Sequence, residues 1–136
     1  MKVLALAVAV LSLSGAAQAA YPERPVKLIV PWAAGSGTDI VMRAMAEVVS
    51  RELGQPVVVD NKAGGGGTVG PAMMAANAKG DGYTIAQIPV SVFRYQLMQG
   101  TAYDSVKDFT YVANLAGYVV TTQANTATGF KSWKDV

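Results

Sequence analysis

Val26-Lys27-Leu28-Ile29-Val30, followed at once by Pro31-Trp32-Ala33-Ala34-Gly35-Ser36-Gly37-Thr38-Asp39, is the stretch on which the fold turns. A short apolar run of this kind reads as a strand covered on both faces. The glycines after it break the extended pattern before a helical one begins. The unit recurs as Pro56-Val57-Val58-Val59-Asp60 leading into Asn61-Lys62-Ala63-Gly64-Gly65-Gly66-Gly67-Thr68. Strand, loop and helix in repeated alternation predict a parallel α/β sheet with flanking helices. Each loop exposes several backbone N–H groups at a helix N-terminus, where the peptide dipoles also favour negative charge. Two such loops on neighbouring units of one sheet suit an anionic small molecule.

Working outward, Asp39–Leu53 predicts a helix with Val41, Ala44, Met45, Val48 and Val49 as its buried stripe. Asp39, Arg43, Glu47 and Arg51 lie four apart on another face and alternate in sign, a solvated ion-pair ladder worth a few tenths of a kcal/mol per pair. Asp39 stands apart because it falls in the first turn beside the proposed anion site. There it is positioned to brace the loop, although its charge repels an anion placed too close. Gly54 ends the helix as a C′ residue, and the second strand covers Val57–Asp60. A second helix is expected over Val69–Ala78, with Pro71 tolerated in its first turn. A turn at Lys79-Gly80-Asp81-Gly82, a strand at Tyr83–Gln87 and a short helix at Val92–Gln99 follow. Extended segments are expected at Phe109–Leu115 and Tyr118–Gln123, and a polar linker at Asn125–Gly129. Ser132, with Asp135 three residues on, resembles a helix start that is capped and then cut, which reads as truncation.

Composition removes whole classes of function. Lys2, the apolar run Val3–Leu13 and the small-residue signal Ala17-Gln18-Ala19 make residues 1–19 an export signal cleaved near Ala19. That run is too short for a bilayer, which needs roughly 20 residues. The chain has no cysteine, so a disulfide framework and a lipid-bearing cysteine are both excluded. A disulfide-free exported α/β chain fits the periplasm. It has no histidine, so neither a Ser-His-Asp triad nor a Cys/His zinc site can be built. The formal charge is +2, counting Lys2, and the basic residues are scattered, which argues against nucleic-acid binding. About 115 residues remain after cleavage, enough for one domain with a core.

The loops invite sharper readings, most of which fail. Gly65-x-Gly67-x-x-Gly70 matches the dinucleotide fingerprint formally, but Ile85-Ala86-Gln87-Ile88-Pro89-Val90 supplies no acidic residue where one is required. Lys62 precedes the glycines instead of following them, so no Walker A loop is present. Gly35-Ser36-Gly37 is no nucleophile elbow, because Ala34 stands in place of the outer glycine and no histidine exists to activate Ser36. Two readings stay open for the glycines. They make tight strand-to-helix turns, or they let a ligand approach the main chain. Four consecutive glycines are costly to order, which favours the second.

At this point an ordered series of motifs carries a resemblance. Tyr21-Pro22-x-Arg24-Pro25, Val30-Pro31-Trp32 with Ala34–Asp39, Val57-Val58-Val59-x-Asn61, the Gly64–Gly67 run, Asp81-Gly82-Tyr83-Thr84 and Tyr103-Asp104-x-x-Lys107-Asp108-Phe109 occur in sequence. Together they resemble the N-terminal part of the Bug family, which includes the TctC-like tricarboxylate-binding proteins. The resemblance implies a type II periplasmic-binding-protein fold and a non-enzymatic solute receptor of a tripartite tricarboxylate transporter. It also implies a monomer that needs no cofactor or metal, with a carboxylated solute and the transporter's membrane subunits as partners. Carried onto this chain, the solute's carboxylate is met by Ala34, Gly35, Ser36, Gly37, Thr38 and Asp39 from the first loop. Gly64, Gly65, Gly66, Gly67 and Thr68 come from the second, and Ser91 follows the third strand. Trp32 is either an apolar wall of the site or packs on the lobe surface.

The implied organisation is a signal peptide at 1–19, an incomplete first α/β lobe at 20–117, and a crossover into a second lobe at 118–136. The family's usual Asn-Arg-Pro-Gly-Ala-Gly-Gly stands here as Asn61-Lys62-Ala63-Gly64-Gly65-Gly66-Gly67, a floppier loop with a higher ordering cost. Two rival readings are a truncated relic without binding activity and a small exported enzyme using Asp39 or Asp60 as base.

A receptor working near micromolar needs roughly −8 kcal/mol. Hydrogen bonds to a charged carboxylate contribute about 1.5–3 kcal/mol each, and a helix terminus up to about 2. Association costs at least about 4 kcal/mol. One lobe open to water is therefore expected to bind citrate, glutamate or aromatic dicarboxylates at millimolar strength or weaker. Calorimetric titration of the purified chain checks this, and a micromolar constant contradicts it.

Overall fold

The computed structural model describes residues 21–117 together with 127, 129, 132 and 134. The expected export signal at 1–19, the segment Tyr118–Gln123, most of the expected linker, and Asp135 lie outside the described residues. Ser132 accepts the Lys134 N–H at 3.3 Å, but its expected partner Asp135 is not described.

Three parallel strands form the sheet in the order β2-β1-β3, with β1 at Val26–Val30, β2 at Val57–Asn61 and β3 at Thr84–Ala86. The register pairs Val26 with Val57 and Val30 with Asn61, and Leu28 with Ile85 on the other side. Helix α1 runs Gly37–Leu53, α2 Val69–Asn77 and α3 Ser91–Gln99. These elements match the alternation read from sequence, with boundaries shifted by a residue or two. Tyr83 and Gln87 fall outside β3, yet the Tyr83 carbonyl accepts from Lys27 at 2.8 Å and the Gln87 N–H donates to Ile29 at 2.9 Å. Gly54 ends α1 in the left-handed region at φ 66°, as its sequence position requires.

Alternate residues of β1 face opposite layers, as the pleat dictates. Leu28 and Val30 pack under α1 with Met42 and Ala46, and Trp32, Met45, Val57, Val59 and Ile85 close around them. The other layer receives α2 through Gly70, where a Cβ would stand 2.8 Å from Ile29 Cγ2 and 3.3 Å from the Lys62 carbonyl. A hydrogen at that position lets the helix approach the sheet. A second cluster joins Val92 of α3 to Tyr103 and Phe109, with Ala72, Met74, Ala75 and Ile88 against it. Among the described residues, no helix is long and apolar enough to cross a membrane.

Two expectations need correction. The buried stripe of α1 is not Val41, Ala44 and Val48. Val41 is 61% exposed and Val48 52%, whereas Met42 and Ala46 are buried, with Met45 and Val49 half-buried. Apolar residues occur on more than one face of this helix, so periodicity alone does not fix its rotation. Asp39 fixes it, because its carboxylate is tied into the base of the loops. Residues 39, 42, 46 and 49 share the face that turning Asp39 inward presents to the sheet. The second correction concerns Phe109–Leu115, which forms no strand among the described residues. Phe109 is committed to the second cluster, and no strand edge pairs with the rest.

Met42→Ala is expected to destabilise the domain by about 2–5 kcal/mol, while Val48→Ala stays within about 0.5 kcal/mol. Urea unfolding of the two variants reads the difference, and equal costs contradict the observed helix rotation.

Candidate functional site

All three strands run the same way, so the segments that follow them emerge at one edge of the sheet. In open α/β sheets that carboxyl edge is where ligands bind. Trp32 and Gly35–Thr38 follow β1, Gly64–Thr68 follow β2, and Gln87, Pro89 and Ser91 follow β3.

The first loop is closed by its own residues. Ser36 caps α1, accepting the Asp39 N–H on Oγ at 3.3 Å. Asp39 reaches back from the first turn and accepts the Gly35 N–H at 2.8 Å. Ser at the cap and an acid three residues on satisfy two donors reciprocally, a variant of the capping box. Gly35 takes φ 81°, in the left-handed region. Its N–H is spent on Asp39, so Gly37 and Thr38 carry the open amides of this loop. A Cβ on Gly37 would meet nothing within 4 Å. Among the described residues the Thr38 hydroxyl has no protein partner.

Asp39 is only 2% exposed, and its two oxygens are fully engaged. Besides Gly35, Oδ2 accepts Arg43 Nε at 3.0 Å, and Oδ1 accepts Asn61 Nδ2 at 2.8 Å. Asn61 Nδ2 also donates to the Trp32 carbonyl at 3.0 Å, and Asn61 Oδ1 accepts Arg43 Nη2 at 2.7 Å. The two loops are thus bolted together at their bases, with further help from the Lys62 N–H, which donates to the Val30 carbonyl at 2.9 Å. Arg43 is part of this brace, which the charge ladder read from sequence did not foresee. Its charge lies against the Asp39 carboxylate, offsetting the repulsion that an unpaired aspartate beside an anion site would cause.

The second loop depends on glycine at every position. Gly64, Gly65, Gly66 and Gly67 take φ values of 132°, 55°, 61° and 93°. Side chains rarely tolerate that region, so all four positions require glycine. Gly65–Gly67 form a single 3₁₀ turn, closed by the Gly67 N–H on the Gly64 carbonyl at 2.9 Å. Thr68 turns inward on the loop, its hydroxyl donating to the Gly65 carbonyl at 2.8 Å. Ser91 Oγ donates to the Gly66 carbonyl at 2.6 Å and so joins the loop from the start of α3. The Tyr95 ring lies alongside Gly66, its hydroxyl 3.2 Å from where a Cβ would stand. Gly67 is buried between the Trp32 indole and Pro89, which leave 3.1 Å and 2.8 Å to a would-be Cβ.

The structure therefore brings Ser91 directly onto the second loop and links the bases of both loops through Asn61. It makes no hydrogen bond directly between Gly35–Thr38 and Gly64–Thr68 among the described residues. Ala34 lies exposed at the tip of the first loop. Sequence reasoning gave no role to Gln87 or Tyr95, placed Pro89 only in the Pro89-Val90-Ser91 stretch expected to touch the solute, and quoted Asn61 only as part of a motif. A polar amide closing an apolar strand just before a glycine run is the signal that could have pointed to Asn61. Two recesses, about 140 Å³ and 250 Å³, lie away from the loops. Lys27, Asp60 and Lys62 line the first, and Arg24, Lys79 and Asp81 the second. Neither includes a residue of the glycine loops, and the chemistry of those loops, open to solvent, makes them the better candidate. Among the described residues no group of three His, Cys, Asp or Glu side chains could hold a metal ion.

The Arg43 hydrogen bond first, then those of Asn61 and Gly35, hold the Asp39 carboxyl down from 3.8 to about 2, against the opposing effect of burial. A carboxyl whose folded value is depressed adds stability that is complete above its unfolded value and lost as pH falls through the folded one. Stability is therefore expected to drop between pH 3.8 and about 2. Asp104, lowered chiefly by the Val106 N–H, adds to the same acid limb. Urea midpoints of Asp39→Asn should show a shallower acid limb than the parent, and an identical limb contradicts the assignment to Asp39.

Comparison with known proteins gives this geometry a family. Residues 41–136 match the model of the tripartite tricarboxylate transporter family receptor, TctC. The protein of the gbd 5′ region of Cupriavidus necator is 45% identical over 72% of this chain, which spans 30% of that protein. Protein BugT of Bordetella pertussis is 39% identical over 68% of this chain and 29% of its own length. A TctC solute binding protein from Polaromonas superposes with a TM-score of 0.57 at 37% identity, over 61% of this chain and 28% of that one. The chain thus spans just under a third of the length of these relatives. The family is one of receptors, not enzymes. On the match to its model and the shared fold, the chain belongs to the TctC, or Bug-type, tripartite tricarboxylate transporter receptor family.

Proposed function

We propose that this chain supplies the first solute-facing lobe of a periplasmic receptor that captures a carboxylate-bearing small molecule for a tripartite tricarboxylate-type transporter. In this reading residues 1–19 are removed on export, 20–117 form the lobe and 118–136 begin the crossover. The transporter's membrane subunits are the macromolecular partners. One observation carries the proposal: two amide-rich loops sit at the carboxyl edge of one parallel sheet, tied at their bases, with the nearby Asp39 carboxylate paired to Arg43.

Within the proposed site the residues divide by role. Gly37, Thr38, Gly65 and Gly66 offer amides, and the Thr38 hydroxyl offers a further donor. Gly35, Ser36 and Asp39 shape the first loop, while Gly64, Gly67 and Thr68 shape the second. Ala34 and Ser91 flank the entrance. Hydrogen bonds from main-chain amides to a carboxylate are charge-assisted and shorter than neutral ones. Gly37 and Gly64–Gly66 are exposed, so a solute bound there stays open to water on one side, which supports weak affinity.

Titration of the ¹⁵N-labelled chain with citrate and with succinate at constant ionic strength tests the reading. The amide resonances of Gly37, Thr38, Gly65 and Gly66 are expected to shift in the millimolar range, while those of Val26 and Leu28 stay fixed. No response at the loops, or an equal response to chloride, overturns it and favours a fragment without binding activity.

A further inference from the structure

We infer that Gln87 is a positioning residue for the second glycine loop, acting through Trp32. The inference rests on the proposal that this loop presents amides to a carboxylate, and it adds what keeps those amides in place.

Four left-handed glycines in a row have no side chains to hold them, and their freedom must be removed from outside. Ser91 Oγ and Thr68 Oγ1 hold the Gly66 and Gly65 carbonyls at 2.6 Å and 2.8 Å, while the Gly67 N–H meets Gly64 at 2.9 Å and the Thr68 N–H meets Gly65 at a longer 3.3 Å. The restraint on Gly67 itself is mainly steric. Gly67 is buried in a slot whose walls are the Trp32 indole and the Pro89 ring. One wall is stiff, because Pro89 has a fixed φ and lies two residues after Gln87, whose N–H continues the β3 ladder. The other wall is the Trp32 indole, which packs on the Leu28, Val30, Met42 and Ala46 cluster. Its outer edge is oriented by one polar side-chain contact among the described residues, Nε1–H donating to Gln87 Oε1 at 3.0 Å across 55 residues of sequence. Gln87 can serve as a fixed post because its own N–H continues the β3 ladder, donating to the Ile29 carbonyl at 2.9 Å. The hydrogen bond therefore transmits the rigidity of the sheet to a loop that has none.

The conservative change is informative here. Gln87→Glu keeps an acceptor oxygen for the indole N–H, whereas Gln87→Leu keeps the bulk and removes the acceptor. Trp32→Phe removes the donor from the other side, together with the indole atoms Cζ2 and Cη2 that face Gly67. If the clamp acts as a pair, the two losses should not add.

The test is amide hydrogen exchange of the chain without ligand, read at Gly67 and Thr68 against the ladder amides of Lys27 and Lys62. Losing one hydrogen bond of ordinary net strength should speed exchange about five- to tenfold at Gly67 and Thr68. That is expected in Gln87→Leu and in Trp32→Phe, with no further gain in the double variant and wild-type rates in Gln87→Glu. Lys27 and Lys62 should be unaffected. Unchanged rates in Gln87→Leu, equally fast exchange in Gln87→Glu, or acceleration of Lys27 and Lys62 to the same degree each overturn the inference. A parallel citrate titration of the same samples separates the two ideas. Altered exchange with no citrate response removes the carboxylate reading and leaves the clamp. Citrate shifts at the loops with unaltered exchange remove the clamp alone.

Discussion

The buried carboxylate of Asp39 is the constraint from which the rest of the structure follows. A charge withdrawn from water is tolerable only when its oxygens are satisfied by strong donors. Here the Gly35 N–H, Arg43 and Asn61 all meet it. Each partner comes from a different part of the edge: the first loop, the outer face of α1, and the end of β2. Meeting the electrical needs of one side chain therefore fixes three things together. It sets the bend of the first loop, the rotation of α1, and the offset between the two loops. An apolar residue at position 39 would remove this constraint and leave the helix rotation to hydrophobic residues that occur on more than one of its faces.

This is why the strands and helices were legible in the sequence while the face of α1 was not. Val26–Val30, the glycine at 54 and Pro71 in the first turn of α2 are local signals, and local physics decides them. The orientation of α1 is settled by a contact between residues 22 positions apart, Asp39 and Asn61, which no window of periodicity contains. Ile40, Val41 and Val48 look like core residues by composition and are exposed. In the same way Phe109–Leu115 has strand-like content, but a strand requires a partner edge, and that is a property of the whole fold.

The candidate site divides along the same line. The glycine loops stand out from the sequence because four glycines in a row are improbable unless the main chain needs unusual angles, and the observed φ values all lie in the left-handed region. The side chains that support them were hidden. Tyr95 reaches the loop, and Gln87 reaches Trp32 beside it, from the far side of the sheet, after a strand that pairs with β1 and not with β2, while Pro89 was expected near the solute but not against Gly67. Only the strand order makes them neighbours. Ser91 could be singled out from sequence because it follows the third strand, but the oxygen it meets, the Gly66 carbonyl, could not.

A wall built from glycine main chain has no chemical personality of its own. If it meets a carboxylate as proposed, it offers the same row of amides to any acid, whether short or long, aliphatic or aromatic. Telling one acid from another must then fall to whatever frames that wall, here the Trp32 ring, the Tyr95 phenol and the Ser91 hydroxyl. Such a division of labour would let selectivity drift by exchanging framing side chains while the anion cradle itself stays the same.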